Sequence, residues 1–125
     1  MSRTQSFDQL LLESIDDGLS ILGNEPKQAV YHYLATIGSL DRERIPDKLD
    51  EFSTGLKKAL GSASKVIERL ILKNLFQRMG STFRESSGLE FTDYVAEARR
   101  RFEISSNKYG DPLDSARSKK GQVSG

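Results

Sequence analysis

The sequence predicts an all-α protein: a compact bundle of four to five helices, followed by a disordered C-terminal tail. Apolar residues recur three and four positions apart in successive segments, which is the spacing of one helical face. Glycine, proline or a capping side chain marks the ends of these segments. No segment shows the apolar–polar alternation of a half-buried strand. We expect an N-terminal arm at 1–5, a helical domain at 6–102 and the tail at 103–125.

The first predicted helix begins after Ser6, because Ser6 and Gln9 can form a Ser-x-x-Gln capping box. Its apolar arc is wide enough for two neighbours, and Gly23 ends it. The second helix carries Pro26 in its first turn, where the missing amide costs nothing, and ends at Gly38. Its predicted inward face consists of Ala29, Val30, Tyr33, Leu34 and Ile37.

The third helix is expected from Pro46 to about Leu60, after a short polar turn at 41–44. The fourth follows at once, begins with a serine cap and continues to Met79. Because the link between them is so short, these two helices should form an antiparallel hairpin. More than half of the fourth helix's circumference is apolar, which predicts that it is the central helix of the bundle.

A loop follows at 81–88, and we expect Phe83 to pin this loop to the core. A fifth, shorter helix is predicted to be capped by Thr92 and to end at Phe102. Beyond Ile104 the chain is rich in Ser, Asn, Lys, Gly and Asp. Such a segment buries too little apolar surface to offset its conformational entropy, which is the basis for predicting a disordered tail.

Composition narrows the functional class. The formal net charge is +1, from 19 basic and 18 acidic side chains, whereas dedicated nucleic-acid binders usually have a strong basic excess. No cysteine is present, which excludes disulfides, thiolate metal sites and cysteine nucleophiles. Without a signal peptide or a run of about 20 apolar residues, the sequence predicts a cytoplasmic protein that does not enter a membrane.

Once these segments are placed, the sequence resembles a small archaeal domain family of unknown biochemical role, the Nitrosopumilus output domain. The resemblance covers residues 7–80. It is carried by Leu11-x-x-x-Ile15-Asp16-x-Gly18-Leu19-x-x-Leu22-Gly23, Lys27-Gln28-Ala29-Val30-Tyr31-x-Tyr33-Leu34, Ile45-Pro46-x-x-Leu49-x-x-Phe52-x-x-x-Leu56, Leu60-Gly61-x-Ala63-x-x-x-Ile67 and Lys73-x-Leu75-Phe76. The resemblance implies an archaeal regulatory or signalling output module rather than an enzyme. It supplies no catalytic residues.

The residues themselves also offer no catalytic constellation. His32 is the single histidine, and no paired-histidine spacing, phosphate-binding glycine loop or serine elbow is present. We therefore predict no catalytic, metal-binding or cofactor-binding residues. Glu13, Asp16 and Asp17 cluster on the first helix, where we favour a solvated face over acid–base or metal chemistry.

Two helix-interior glycines suggest close approach of another backbone segment, because glycine costs about 1 kcal/mol relative to alanine there. They are Gly18 and Gly55. Ser14 and Gly18 form a small-residue groove that either accepts a helix of the same chain or meets a second copy. For the second alternative, the predicted self-association contacts are Leu12, Ser14, Gly18 and Leu19.

A basic stripe on the fourth helix is the main argument for a nucleic-acid partner. The stripe consists of Lys65, Arg69 and Lys73. Further basic residues that could contact nucleic acid lie near the start of the fourth helix (Lys57 and Lys58) and in the fifth helix (Arg99, Arg100 and Arg101). Glu68 interrupts the neighbouring row, and no aromatic side chain is interleaved for base stacking. A solvated charged face is the simpler interpretation.

Two functional hypotheses follow. The leading one is a non-enzymatic regulatory module that acts through protein–protein interaction as a homodimer. The alternative is a DNA-binding transcription regulator that uses the basic stripe of the fourth helix. A receptor for an apolar ligand is a third alternative, although no polar group marks a pocket.

Overall fold

The structure is a computed structural model that describes residues 6–110, with side chains for residues 6–105. Helix α1, Phe7–Ser20, begins at the predicted capping box. The Gln9 amide donates to the Ser6 hydroxyl at 3.1 Å, and the Ser6 amide donates to the Gln9 side chain at 3.3 Å. Helix α2, Asn24–Thr36, follows a turn at Gly23, whose φ of +102° favours glycine. Both predicted helices are confirmed.

A short 3₁₀ helix, Arg42–Asp47, lies between α2 and helix α3, Leu49–Leu60. The predicted polar turn at 41–44 is present, since the Arg44 amide donates to the Asp41 carbonyl at 2.9 Å, and it continues into the 3₁₀ helix. The predicted start of the third helix at Pro46 is wrong, because α3 begins at Leu49. Ile45 and Pro46 are buried, and a proline is tolerated in this short turn because its missing amide is not needed there. Lys48, with φ of −133°, separates the two helical segments.

Helices α3 and α4, Ala63–Arg78, form the predicted antiparallel hairpin. Gly61 makes the link, with φ of +63° and ψ of −136°, a conformation that only glycine adopts readily. Across the hairpin, the Ser53 hydroxyl donates to Glu68 Oε2 at 2.6 Å. Helix α4 contacts α1, α3 and α5, so the prediction of a central helix is confirmed.

Helix α1 lies antiparallel to α4. Glu13 meets Arg78 near the end of α4, whereas Gly18 packs on Ile71 one to two turns earlier. The core between the helices is continuous and strongly apolar. Its fully buried large side chains are Leu11, Ile15, Leu19, Leu34, Leu40, Ile45, Phe52, Leu56, Ile67, Ile71, Leu75 and Val95.

Helix α5, Phe91–Gly110, begins one residue before its predicted cap and continues beyond the predicted end at Phe102. The cap itself is different from the one expected: the Glu90 amide donates to Asp93 Oδ2 at 2.8 Å. Phe83 does pin the preceding loop, with its ring centroid 5.6 Å from Phe76 and 5.0 Å from Tyr94. The predicted arm at 1–5 and residues 111–125 of the predicted tail lie outside the described residues.

The fold class is confirmed: over residues 6–110 the chain is all-α, with five α-helices, one 3₁₀ helix and no strand. Within the same range, none of these helices combines the length and the apolar character needed to span a bilayer.

Candidate interaction groove

A concave surface lies between the C-terminal end of α2 and helix α3. It has a volume of about 340 Å³. Its walls carry mostly apolar surface, and a few polar side chains are added along α3. The lining residues are Tyr33, Leu34, Ile37, Gly38, Leu40, Asp50, Glu51, Thr54, Gly55 and Lys58.

Local backbone geometry at the end of α2 builds one wall of this groove. The amides of Gly38 and Leu40 both donate to the carbonyl of Leu34, at 3.1 and 2.9 Å, which turns the chain sharply. Leu40 is thereby buried, while Ile37 is 67% exposed beside the groove. The turn therefore directs the Leu40 side chain into the core and leaves the Ile37 side chain exposed to solvent.

The absence of a side chain at Gly55 lets α2 and α3 lie close together below the groove. A Cβ atom at this position would lie 2.5 Å from Cδ2 of Leu34. The helix-interior glycine is thus explained by a close approach, as the sequence predicted, although the contact is a leucine side chain rather than backbone.

Charges along α3 give the groove two unlike ends. Asp50, Thr54 and Lys58 line it at four-residue spacing, and Glu51 adds a second carboxylate near Asp50. Glu51 pairs with Lys48 at 3.9 Å, a pair of two exposed side chains that contributes little stability. The acidic side chains begin α3 and Lys58 lies in its last turn, an order that the helix dipole also favours.

A polar cluster elsewhere joins α1, α2 and the 3₁₀ helix. Asp16 accepts hydrogen bonds from Tyr31 and from Arg42, whose Nη2 lies 2.6 Å from Asp16 Oδ2. Burial alone raises the pKa of Asp16, but the bonds from Arg42 and Tyr31 and the charge of Arg42 together hold it below 3.8. Burial, reinforced by the bond to Asp16, raises the pKa of Tyr31 above its ordinary 10.0. The cluster fastens three segments together.

The other two acidic residues of α1 are also engaged. Arg78, in the last turn of α4, donates to Glu13 at 2.9 Å and to Asp17. Glu13 and Asp17 remain 42% and 51% exposed, so they belong to a solvated face as predicted, although Arg78 pairs with them. Asp16 is the exception, because Tyr31 and Arg42 hold it in a part-buried cluster. Within residues 6–105, no group of three or more His, Asp or Glu side chains is arranged to hold a metal ion.

The residues predicted for self-association on α1 lie mainly inside one chain. Ser14, Gly18 and Leu19 are buried, and Leu12 is half-buried against the core. A Cβ atom at Gly18 would lie 2.6 Å from Cγ1 of Ile71 and 3.3 Å from its amide nitrogen. The small-residue groove thus accepts α4 of the same chain. We correct the assignment of Ser14, Gly18 and Leu19 to a dimer contact accordingly.

The basic residues proposed for nucleic acid divide into two groups. One group faces carboxylates: Lys65 lies 3.8 Å from Glu90, and Arg69 lies 3.0 Å from Glu85. In α5, Arg99 and Arg101 face Asp8 and Glu97 at 3.2 and 2.7 Å. The second group forms no ion pair with another side chain of residues 6–105 and comprises Lys57, Lys58, Lys73 and Arg100.

Two features of the site escaped sequence reasoning. Ile37 was assigned to the inward face of α2 because its spacing from Val30 and Tyr33 fits one helical stripe, but it caps the helix and is exposed. Glu68 was treated as part of the polar face of α4, yet it is buried against Ser53. For Ile37, the one sequence signal is Gly38, which follows it directly and marks the end of α2.

Comparison with protein-family models, with curated proteins and with solved structures finds no match to this chain.

Proposed function

We propose that this protein is a non-enzymatic regulatory module of the archaeal output-domain type, which acts in the cytoplasm as a homodimer through the groove between α2 and α3. The regulatory part of the proposal rests only on the sequence motifs of residues 7–80 that resemble that family, since no family model matches the chain. The groove supports the interaction part. We propose that the groove binds a protein rather than serving as an active site, because its lining residues do not include a convergent set of histidine, serine and carboxylate groups.

The single observation that carries the proposal is the exposure of Ile37 beside an apolar groove. Isolated apolar residues on a surface are common and need no explanation. Here the exposed isoleucine adjoins a concave surface formed by Tyr33, Leu34 and Leu40, so one contact could cover both. An apolar centre with polar side chains around it is the arrangement found in protein–protein contacts.

The alternative of a DNA-binding regulator has less support. Lys65 and Arg69 of the α4 stripe face Glu90 and Glu85, which reduces the positive potential available to a phosphate backbone. Lys73 is the member of that stripe that forms no ion pair with another side chain of residues 6–105.

Sedimentation equilibrium of the full chain tests the proposal, with Ile37→Glu and Ile21→Glu compared at several concentrations. The two isoleucines are matched, since each caps the C-terminal end of a helix and each is 67% exposed. Only Ile37 adjoins the groove. We expect the wild type and Ile21→Glu to self-associate and Ile37→Glu to remain monomeric. A wild type that stays monomeric at high micromolar concentration would contradict the homodimer, and equal behaviour of the two variants would contradict the groove.

A further inference from the structure

We infer that the groove is the core of a two-fold contact in which α3 of one copy lies antiparallel to α3 of a second copy. In this contact Asp50 of each copy pairs with Lys58 of the other. The inference rests on the proposed function and specifies its geometry. It starts from the polarity of the groove, which is acidic at one end of α3 and basic at the other.

A two-fold axis requires that a surface be complementary to itself. Asp50, Thr54 and Lys58 follow one another at four-residue spacing, so Thr54 lies midway between the two charges. Rotation by 180° about an axis passing near Thr54 exchanges the two ends of α3. The carboxylate of one copy then faces the ammonium group of the other, and the same pair forms a second time.

The distances along the helix fit this arrangement. Asp50 and Lys58 are about 12 Å apart along the α3 axis, at 1.5 Å per residue. That separation leaves room between the two charge pairs for the apolar centre of the contact. Thr54 lies there on α3, and its side chain is exposed and small enough for another helix to approach. Ile37 of each copy is then covered by the other copy.

The charges of the groove are available for such pairs. Asp50 and Lys58 are exposed, and neither forms an ion pair with another side chain of residues 6–105. A parallel arrangement of the two helices would instead bring Asp50 against Asp50 and Lys58 against Lys58. Charge alone therefore selects the antiparallel orientation.

The test exchanges charges between two variants of the full chain, Asp50→Lys and Lys58→Asp. In each variant alone, both cross-pairs become like-charge pairs, and we expect self-association to weaken about tenfold or more. In an equimolar mixture, every cross-pair is again of opposite sign. We therefore expect dimers to return as heterodimers, which native mass spectrometry identifies if one variant carries an additional N-terminal tag.

The double variant Asp50→Lys/Lys58→Asp provides the second measurement. It restores both pairs within a homodimer, so we expect its dissociation constant to return to within about threefold of the wild type. Melting curves by circular dichroism confirm that each variant is folded. If self-association returns neither in the mixture nor in the double variant, while the Ile37→Glu substitution still prevents dimer formation, the antiparallel geometry is overturned and the groove contact stands. If the wild type is monomeric, the homodimer and its geometry fall together.

Discussion

Gly18 of α1 packs directly on Ile71 of α4, so closely that a Cβ atom at Gly18 would lie 2.6 Å from Cγ1 of Ile71. This contact brings together the two antiparallel helices that pack against each other most extensively among residues 6–110. It also decides the role of the small residues on α1. They belong to the interior of one chain, and the surface available to a second copy lies elsewhere.

Replacement of Gly18 by alanine should therefore destabilise the fold. Alanine gains up to about 1 kcal/mol in helix propensity. The clash involves a buried, branched side chain and the nearby backbone of Ile71, and relieving it should cost more than that gain. We expect Gly18→Ala to lower the free energy of unfolding by about 1–3 kcal/mol in urea titrations.

Gly55→Ala is the matched comparison. Its added Cβ would meet only Cδ2 of Leu34, the end of a side chain that borders the open groove and can shift. We expect the free energy of unfolding of Gly55→Ala to lie within about 1 kcal/mol of the wild-type value, because the gain in helix propensity offsets the cost of moving the Leu34 side chain. A Gly18→Ala variant as stable as Gly55→Ala would show that α1 and α4 are farther apart than described.

A second prediction concerns Ser53 and Glu68 in the α3–α4 hairpin. Glu68 is 8% exposed, and its carboxylate accepts a 2.6 Å hydrogen bond from the Ser53 hydroxyl. Ser53→Ala removes this bond and leaves a buried acceptor poorly satisfied, so we expect a loss of about 1–3 kcal/mol in unfolding free energy. Thr54→Ala, at the neighbouring exposed position, serves as the control. Equal losses in the two variants would contradict the assigned role of the bond.

The helices themselves were predictable because their signals are local. The capping box at Ser6 and the glycine at Gly61 each fix a helix end through a few neighbouring residues. The apolar spacing of α4 likewise predicted its central position, since a helix that is apolar over most of its circumference must be covered on several sides.

The candidate groove could not be predicted because it depends on where α2 stops and how it meets α3. Ile37 fits the apolar spacing of α2, and only the turn made by Gly38 and Leu40 leaves it exposed. The partners of Asp16 were equally hidden, since Tyr31 and Arg42 come from different segments. Pairing between distant segments leaves no signature in the spacing of either one.

The third prediction follows from the depressed pKa of Asp16. A carboxylate whose pKa is lower in the folded state stabilises the fold fully above its unfolded value, here 3.8. That contribution disappears as the pH falls from there through the lower, folded pKa. We expect the stability difference between wild type and Asp16→Asn to be constant from about pH 7 to 5 and to shrink below about pH 4.

Urea titrations at a series of pH values measure this difference. Asp47→Asn, which removes an exposed carboxylate in the neighbouring 3₁₀ helix, provides the control for the loss of one acidic side chain. If the wild type remained more stable than Asp16→Asn by the same free energy of unfolding at about pH 2, the ion pair between Asp16 and Arg42 would not be the source of that difference.

The fourth prediction addresses the basic stripe of α4. Because Lys65 and Arg69 face carboxylates, we expect no retained complex with mixed-sequence duplex DNA at about 150 mM salt, and at most a weak shift at low salt. A gel shift with wild type and a variant reversing Lys65, Arg69 and Lys73 checks this. A complex that survives moderate salt and is abolished by the reversal would favour the DNA-binding alternative.

The most direct test of the groove as the self-association surface is a series of amide NMR spectra of the wild type, recorded at increasing protein concentration. We predict that resonances of residues 33–40 and 50–58 shift or broaden together, while those of 65–73 on α4 remain unchanged. Spectra that do not change with concentration, or changes confined to α1 and α4, would contradict the account.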